Sequence, residues 1–85
     1  MAGRRIVHLY RRDGCPLCDE AEEMLRALAP GLGFEVEAID IEADTALHRR
    51  YLLEIPVVVV DGREVARPPI RAVALREALR EALRG

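Results

Sequence analysis

From residue 6 onward the chain carries two alternating kinds of hydrophobic pattern, each predicting a different element. Ile6-Val7-His8-Leu9-Tyr10 is β-branched and aromatic, the pattern of a strand. Asp13-Gly14 then supplies turn chemistry. From Pro16 on, Leu17, Ala21, Met24, Leu25 and Leu28 recur at helical spacing, with Asp19, Glu20, Glu22 and Glu23 on the opposite face. Pro30-Gly31-Leu32-Gly33 closes this helix. Phe34-Glu35-Val36-Glu37-Ala38 alternates apolar and acidic residues and runs on through Ile39-Asp40-Ile41, a second strand.

The stretch from about 44 to 53 has no glycine or proline and carries Ala46, Leu47, Tyr51 and Leu52, which predicts a second helix. After Ile55-Pro56 come four consecutive valines, Val57 to Val60. An unbroken β-branched run implies a strand buried on both faces, so helices must cover both sides of the sheet. Asp61-Gly62 is a strong hairpin signal, because both turn positions require positive φ. Arg63-Glu64-Val65 then reads as a short antiparallel edge strand. Beyond Pro68-Pro69, the residues Ile70, Val73, Leu75, Leu79 and Leu83 mark a last amphipathic helix, with Arg76, Glu77, Arg80, Glu81 and Arg84 outside. The predicted order is β-α-β-α-β-β-α: an α/β protein with a mixed four-stranded sheet and helices on both faces.

Length and composition narrow the function classes. Eighty-five residues suit one domain, residues 1–85, with a small core and therefore a shallow surface site rather than a large enclosed cavity. A net charge of -2 gives no basic excess for gripping nucleic acid. The start, Met1-Ala2-Gly3-Arg4-Arg5-Ile6, has a basic pair without an apolar stretch of signal-peptide length behind it. No run approaches the roughly 18 apolar residues of a membrane span. A cytoplasmic location is expected, with no membrane and no nucleic-acid partner. In a reducing compartment two cysteines seldom serve as a structural staple, so their spacing carries the information.

That spacing is Cys15-Pro16-Leu17-Cys18, at the junction of the first strand and first helix. With Cys15 as N-cap, Pro16 occupies the first helical position, where its missing N–H costs little. The backbone N–H groups of Leu17 and Cys18 then point toward the Cys15 sulfur and, with the positive helix end, favour thiolate over thiol. Cys18 lies one turn further in, less accessible but close enough to close a disulfide. The expected division of labour has Cys15 attacking a substrate disulfide and Cys18 resolving the mixed disulfide. Nearby charges are mixed: Arg11 and Arg12 favour a thiolate, whereas Asp13, Asp19 and Glu20 oppose it.

Other readings of the pair exist. A single CxxC can be half of a zinc site, yet four ligands are usual and only His8 and His48 remain, one in a strand and one on the second helix. A structural disulfide is disfavoured by compartment. Two inert buried thiols are disfavoured by Pro16 between them and by the strand-to-helix location. A non-catalytic binding module that uses the same surface for a metal or a protein partner is the alternative from another class.

Leu9-Tyr10, Gly14-Cys15-Pro16-Leu17-Cys18 and Ile55-Pro56-Val57-Val58-Val59-Val60-Asp61-Gly62 together resemble the glutaredoxin branch of the thioredoxin superfamily, specifically its short bacterial glutaredoxin-like proteins. The resemblance runs from the first strand through the hairpin and implies a thioredoxin fold. It implies that Pro56 is the family's cis-proline beside the dithiol, although the residues alone fit a trans proline opening a strand equally well. It implies further that the backbone of Ile55 is exposed to pair with a bound peptide or thiol. Arg12 matches a position where glutaredoxins often carry a basic residue facing a glutathione carboxylate, against the plainer reading of Arg11 and Arg12 as a solvated loop. Tyr10 borders the site or simply packs.

One departure stands out. Glutaredoxins that bind glutathione well have Gly-Gly and an acidic residue after the hairpin, whereas this chain has Val65-Ala66-Arg67-Pro68-Pro69. Two prolines remove backbone donors, no acidic residue follows, and Arg67 either meets a carboxylate by itself or, as the default reading, is simply an exposed arginine. No Trp precedes Cys15, so thioredoxin itself also matches imperfectly. The expectation is a thiol–disulfide oxidoreductase with catalytic Cys15 and Cys18 and substrate contacts at Arg12, Pro16, Ile55 and Pro56. It needs no bound cofactor and acts as a monomer on protein or small-molecule disulfides. Glutathione or a thioredoxin-reductase-like enzyme supplies the electrons.

Overall fold

The computed structural model describes residues 5–84. Its elements are β1 (Arg5–Arg11), α1 (Pro16–Leu32), β2 (Phe34–Asp40), a 3-10 turn (Ile41–Ala43), α2 (Thr45–Tyr51), β3 (Val57–Val60), β4 (Arg63–Ala66) and α3 (Ala72–Ala82). They form one four-stranded sheet in the order β2-β1-β3-β4. β1 pairs in parallel with β2 and antiparallel with β3, and β3 pairs antiparallel with β4. The predicted β-α-β-α-β-β-α order and mixed sheet are both present.

The four valines show why the sheet needs cover on both sides. Side chains alternate across a strand, so Val58 and Val60 join Val7 and Leu9 of β1 on one face, against Ala21 and Leu25 of α1 and Leu75 and Leu79 of α3. Val57 and Val59 point the other way, onto Ile41 and Tyr51 of the 3-10 turn and α2. All four valines are buried. The Asp61-Gly62 turn that follows has φ 52° and 78°, the positive pair a two-residue hairpin demands.

Local chemistry places the remaining boundaries. Asp40 ends β2 by turning its carboxylate onto the Glu42 N–H (2.8 Å), so Ile41 begins the 3-10 turn rather than ending the strand. Asp44 caps α2 through the Leu47 N–H (3.0 Å). α1 does not stop at Pro30: it runs through that proline to Leu32 and ends at Gly33, whose left-handed φ of 76° lets its N–H reach the Ala29 carbonyl (2.8 Å). Helical spacing also misassigns two side chains. Leu17 and Val73, expected on buried stripes, are 57% and 79% exposed. Ile70 precedes α3 and packs half-buried against the core. No helix among the described residues is long and apolar enough to cross a membrane.

Candidate active site

β1 is the inner strand that leads to the site, and the loop after Arg11 turns through Gly14, at φ 72°, into α1. Cys15 is the N-cap in an extended conformation, with Pro16 opening the helix. Its carbonyl accepts the Asp19 N–H (3.0 Å), and its Sγ accepts the Cys18 N–H at 3.2 Å. Cys18 rather than Leu17 supplies the donor at the sulfur. The two cysteines are joined as a disulfide with Cα atoms 5.2 Å apart. They differ in access: Cys15 is half-buried and Cys18 is 0% exposed.

The two arginines before the dithiol part company. Arg11 donates to Asp19 (2.8 Å), to Glu22 (2.9 Å) and to the Arg12 carbonyl (3.1 Å), so two carboxylates already neutralise it. Arg12 is half-buried and makes no side-chain ion pair among the described residues, which leaves it as the uncommitted cation of the loop. Glu22 also takes Arg26 at 2.8 Å. Arg26 foremost, and Arg11 after it, hold the Glu22 carboxyl below its ordinary range against the opposing effect of burial.

Across from α1, the Ile55–Pro56 peptide bond is cis and Pro56 is buried. The Ile55 N–H donates to the Tyr51 carbonyl (3.1 Å), so that group is already paired within the chain instead of standing open to a bound peptide as the resemblance implies. A groove brings Pro56 together with Leu17, Glu20, Ala21 and Met24 of α1 and with Pro68, Pro69 and Ile70. Pro16 is exposed on the first turn. Arg12 and Ile55 lie outside the groove's lining. Tyr10 packs on the ring of Tyr51 (centroids 4.8 Å apart), a core contact; burial first, then Tyr51, raises its pKa.

The groove's Met24, Pro68, Pro69 and Ile70 were not singled out from the sequence as site residues. Its signal was present in the spacing of Leu17, Glu20, Ala21 and Met24, one side of a helix with a charge at its edge. Arg67 is an exposed arginine, the default reading, and its guanidinium pairs with Glu54 (3.1 Å) and with Glu64 rather than standing free for a ligand carboxylate. Glu64 additionally accepts from Arg50 and from the Tyr51 hydroxyl, both at 3.2 Å, tying β4 to α2.

Arg67 foremost, then the Tyr51 hydroxyl and Arg50, lower the Glu64 pKa from its ordinary 4.5, while burial opposes them. A depressed carboxyl adds stability that is complete above the unfolded value and disappears as pH falls through the folded one. Urea unfolding should therefore give stability that falls as pH drops below about 4.5, and Glu64→Gln should flatten part of that fall. An unchanged acid slope in the variant would remove Glu64 from the account.

His8 sits opposite Glu37 on β2 and pairs with it at 2.7 Å, whereas His48 is on α2. Among the described residues no group of three or more His, Cys, Asp or Glu side chains is arranged to hold a metal ion.

Known proteins are similar to this chain in sequence and fold. An uncharacterized protein of Mycobacterium bovis is 35% identical over 66 residues, covering 72% of this chain and 68% of its own. A crystal structure of an X. campestris protein matches with a TM-score of 0.76 at 39% identity, covering 89% of this chain and 97% of that one. A solution structure of a Nitrosomonas europaea protein matches with a TM-score of 0.73 at 30% identity, covering 88% and 91%. Thioredoxin 1 of Thermosipho africanus, at 15% identity, superposes with a TM-score of 0.69 over 93% of this chain and 94% of its own, which shows the thioredoxin fold. Residues 6–80 match the family profile of the glutaredoxin-like domain (DUF836), and the chain belongs to that family.

Proposed function

We propose that the protein is a thiol–disulfide oxidoreductase that reduces protein or small-molecule disulfides, with Cys15 as nucleophile and Cys18 as resolving thiol. The observation that carries the reading is the Cys18 N–H aimed at the Cys15 Sγ (3.2 Å) at the opening of a helix. A sulfur held by a backbone donor at the positive end of a helix is stabilised as thiolate, the species that attacks disulfides. The unequal access of the two cysteines supports the order of events. A substrate reaches Cys15 first; Cys18 then meets the mixed disulfide from inside the protein.

Each step balances. The Cys15 thiolate forms a bond to one substrate sulfur and expels the other as a thiolate, which takes a proton from water. Cys18 then loses its proton to water and, as thiolate, attacks the Cys15 sulfur and expels the remaining substrate half as a thiolate, which takes up a proton from water, leaving the Cys15–Cys18 disulfide. The substrate gains two electrons from the dithiol, and an external thiol or reductase of the glutathione or thioredoxin-reductase class restores it. No bound cofactor is required. The protein works as a cytoplasmic monomer, with Arg12, Pro16, Ile55 and Pro56 near the bound substrate.

Cys18→Ser separates the steps. Mixed with a disulfide substrate, the reduced variant should accumulate a covalent adduct at Cys15, visible as a mass increase of one substrate half. Absence of the adduct, with Cys15 reacting like a free cysteine of pKa about 8.5, would favour a non-catalytic binding module instead.

A further inference from the structure

We infer that the groove beside the dithiol selects the substrate: it seats an apolar side chain of a protein next to that protein's disulfide cysteine, with a basic residue beyond it. Glutathione disulfide is then a poor substrate. The inference rests on the exchange reading above and names its substrate class.

One wall is the face of α1 formed by Leu17, Glu20, Ala21 and Met24, and the other is Pro56, Pro68, Pro69 and Ile70. They enclose about 370 Å³, room for an aliphatic or aromatic side chain. Leu17, which lies between the two cysteines in the chain, links the groove to the dithiol, although Cys15 and Cys18 are not themselves in its lining. Leu17 is one of four exposed large hydrophobic residues among the described residues and the one that lines the groove, 57% exposed.

Charge fixes the rest of the partner's chemistry. Glu20 is the charged side chain in the walls, and it makes no ion pair among the described residues. Pro68 and Pro69 have no N–H to offer a carboxylate. Arg67 is committed to Glu54 and Glu64, and Arg71, which follows Ile70, lies outside the lining. Each half of glutathione disulfide brings two carboxylates and one ammonium, a net negative ligand that meets the unpaired Glu20 in the groove wall, while Arg12, the uncommitted cation before Cys15, lies outside that lining. A peptide with an apolar residue for the groove and a cation for Glu20 complements both features.

The test uses pre-reduced protein in single turnover, so that no second reductant enters. Four probes are compared: bis(2-hydroxyethyl) disulfide, which is neutral and too small to fill the groove; glutathione disulfide; a peptide disulfide with cysteine-leucine-arginine; and its counterpart with cysteine-aspartate-glutamate. The leucine-arginine peptide should react about tenfold or more faster than the acidic peptide and glutathione disulfide, since apolar pocket filling and charge both favour it. Glu20→Lys, an exposed change, should narrow that gap by roughly fivefold by raising the glutathione rate and lowering the peptide rate. Ile70→Ala should reduce the preference for the leucine-arginine peptide, expressed relative to the same variant's rate on the neutral disulfide. Equal rates on the two peptides, or a faster reaction with glutathione disulfide, would overturn the inference while leaving exchange chemistry intact. Failure to reduce even the neutral disulfide would instead overturn the exchange reading and this inference with it.

Discussion

Cys15→Ser should abolish disulfide reduction completely while leaving the protein folded. The two outcomes can be separated because Cys15 holds two positions at once. As the N-cap of α1 it accepts the Cys18 N–H, a task that serine performs as well as any residue. As the proposed nucleophile it must exist as an anion near neutral pH, which a hydroxyl does not. Far-UV circular dichroism and thermal unfolding of Cys15→Ser should therefore match those of the reduced parent, while stopped-flow reduction falls to the rate in buffer. Cys15→Ala should lose activity equally and in addition about 1 kcal/mol of stability, because the helix loses its cap. Residual reduction by Cys15→Ser would mean that Cys18 attacks directly, in conflict with its burial, and the assignment of roles would have to be reversed.

The same two cysteines show how much of this molecule can be read from its sequence. Pro16 after Cys15, at the end of a β-branched run, is enough to place a sulfur at a helix start, since proline suits the first helical position far better than the interior, even though α1 also carries Pro30 near its end. The valine run and Asp61-Gly62 are equally explicit, each tied to a backbone requirement that few other residues meet. What could not be read depends on contacts distant in sequence. Periodicity lines up Leu17 with Ala21 and Leu25, but it does not say how far the core extends beneath the first turn, and Leu17 is left facing the groove.

Arg11 and Arg12 are identical in composition and adjacent in the chain. Only the return of α1 over the loop commits the first to Asp19 and Glu22 and leaves the second uncommitted. Arg67 likewise looks free until the hairpin and the segment after α2 bring Glu64 and Glu54 to it. The Ile55 N–H is engaged locally instead, one turn of chain after Tyr51. Pairing across elements is set by tertiary structure, and for that reason the reactive pair was more legible than the surface that chooses its partner.

Leu25→Ala should destabilise the protein more than reduction of its disulfide does. Leu25 is 0% exposed, on the side of α1 that packs with Val7, Leu9, Val58 and Leu79. Truncating such a leucine removes transfer free energy and leaves a cavity, costing about 2–5 kcal/mol. A domain of this size has only about 5–15 kcal/mol in total, so the melting temperature should fall by roughly 10 °C or more. The disulfide spans a sequence separation of three, one of the shortest rings possible. By the loop-entropy relation such a ring stabilises by at most about 2 kcal/mol. Thermal unfolding of oxidised, reduced and Leu25→Ala protein should rank in that order, with Leu17→Ala, a change at an exposed side chain, close to the parent. Reduction that destabilised as much as Leu25→Ala would identify the bond as a structural staple and weaken the case for a redox pair. The expected ranking instead describes a dithiol that opens and closes on a helix held in place by the core beneath it, so that turnover of the bond leaves the fold standing.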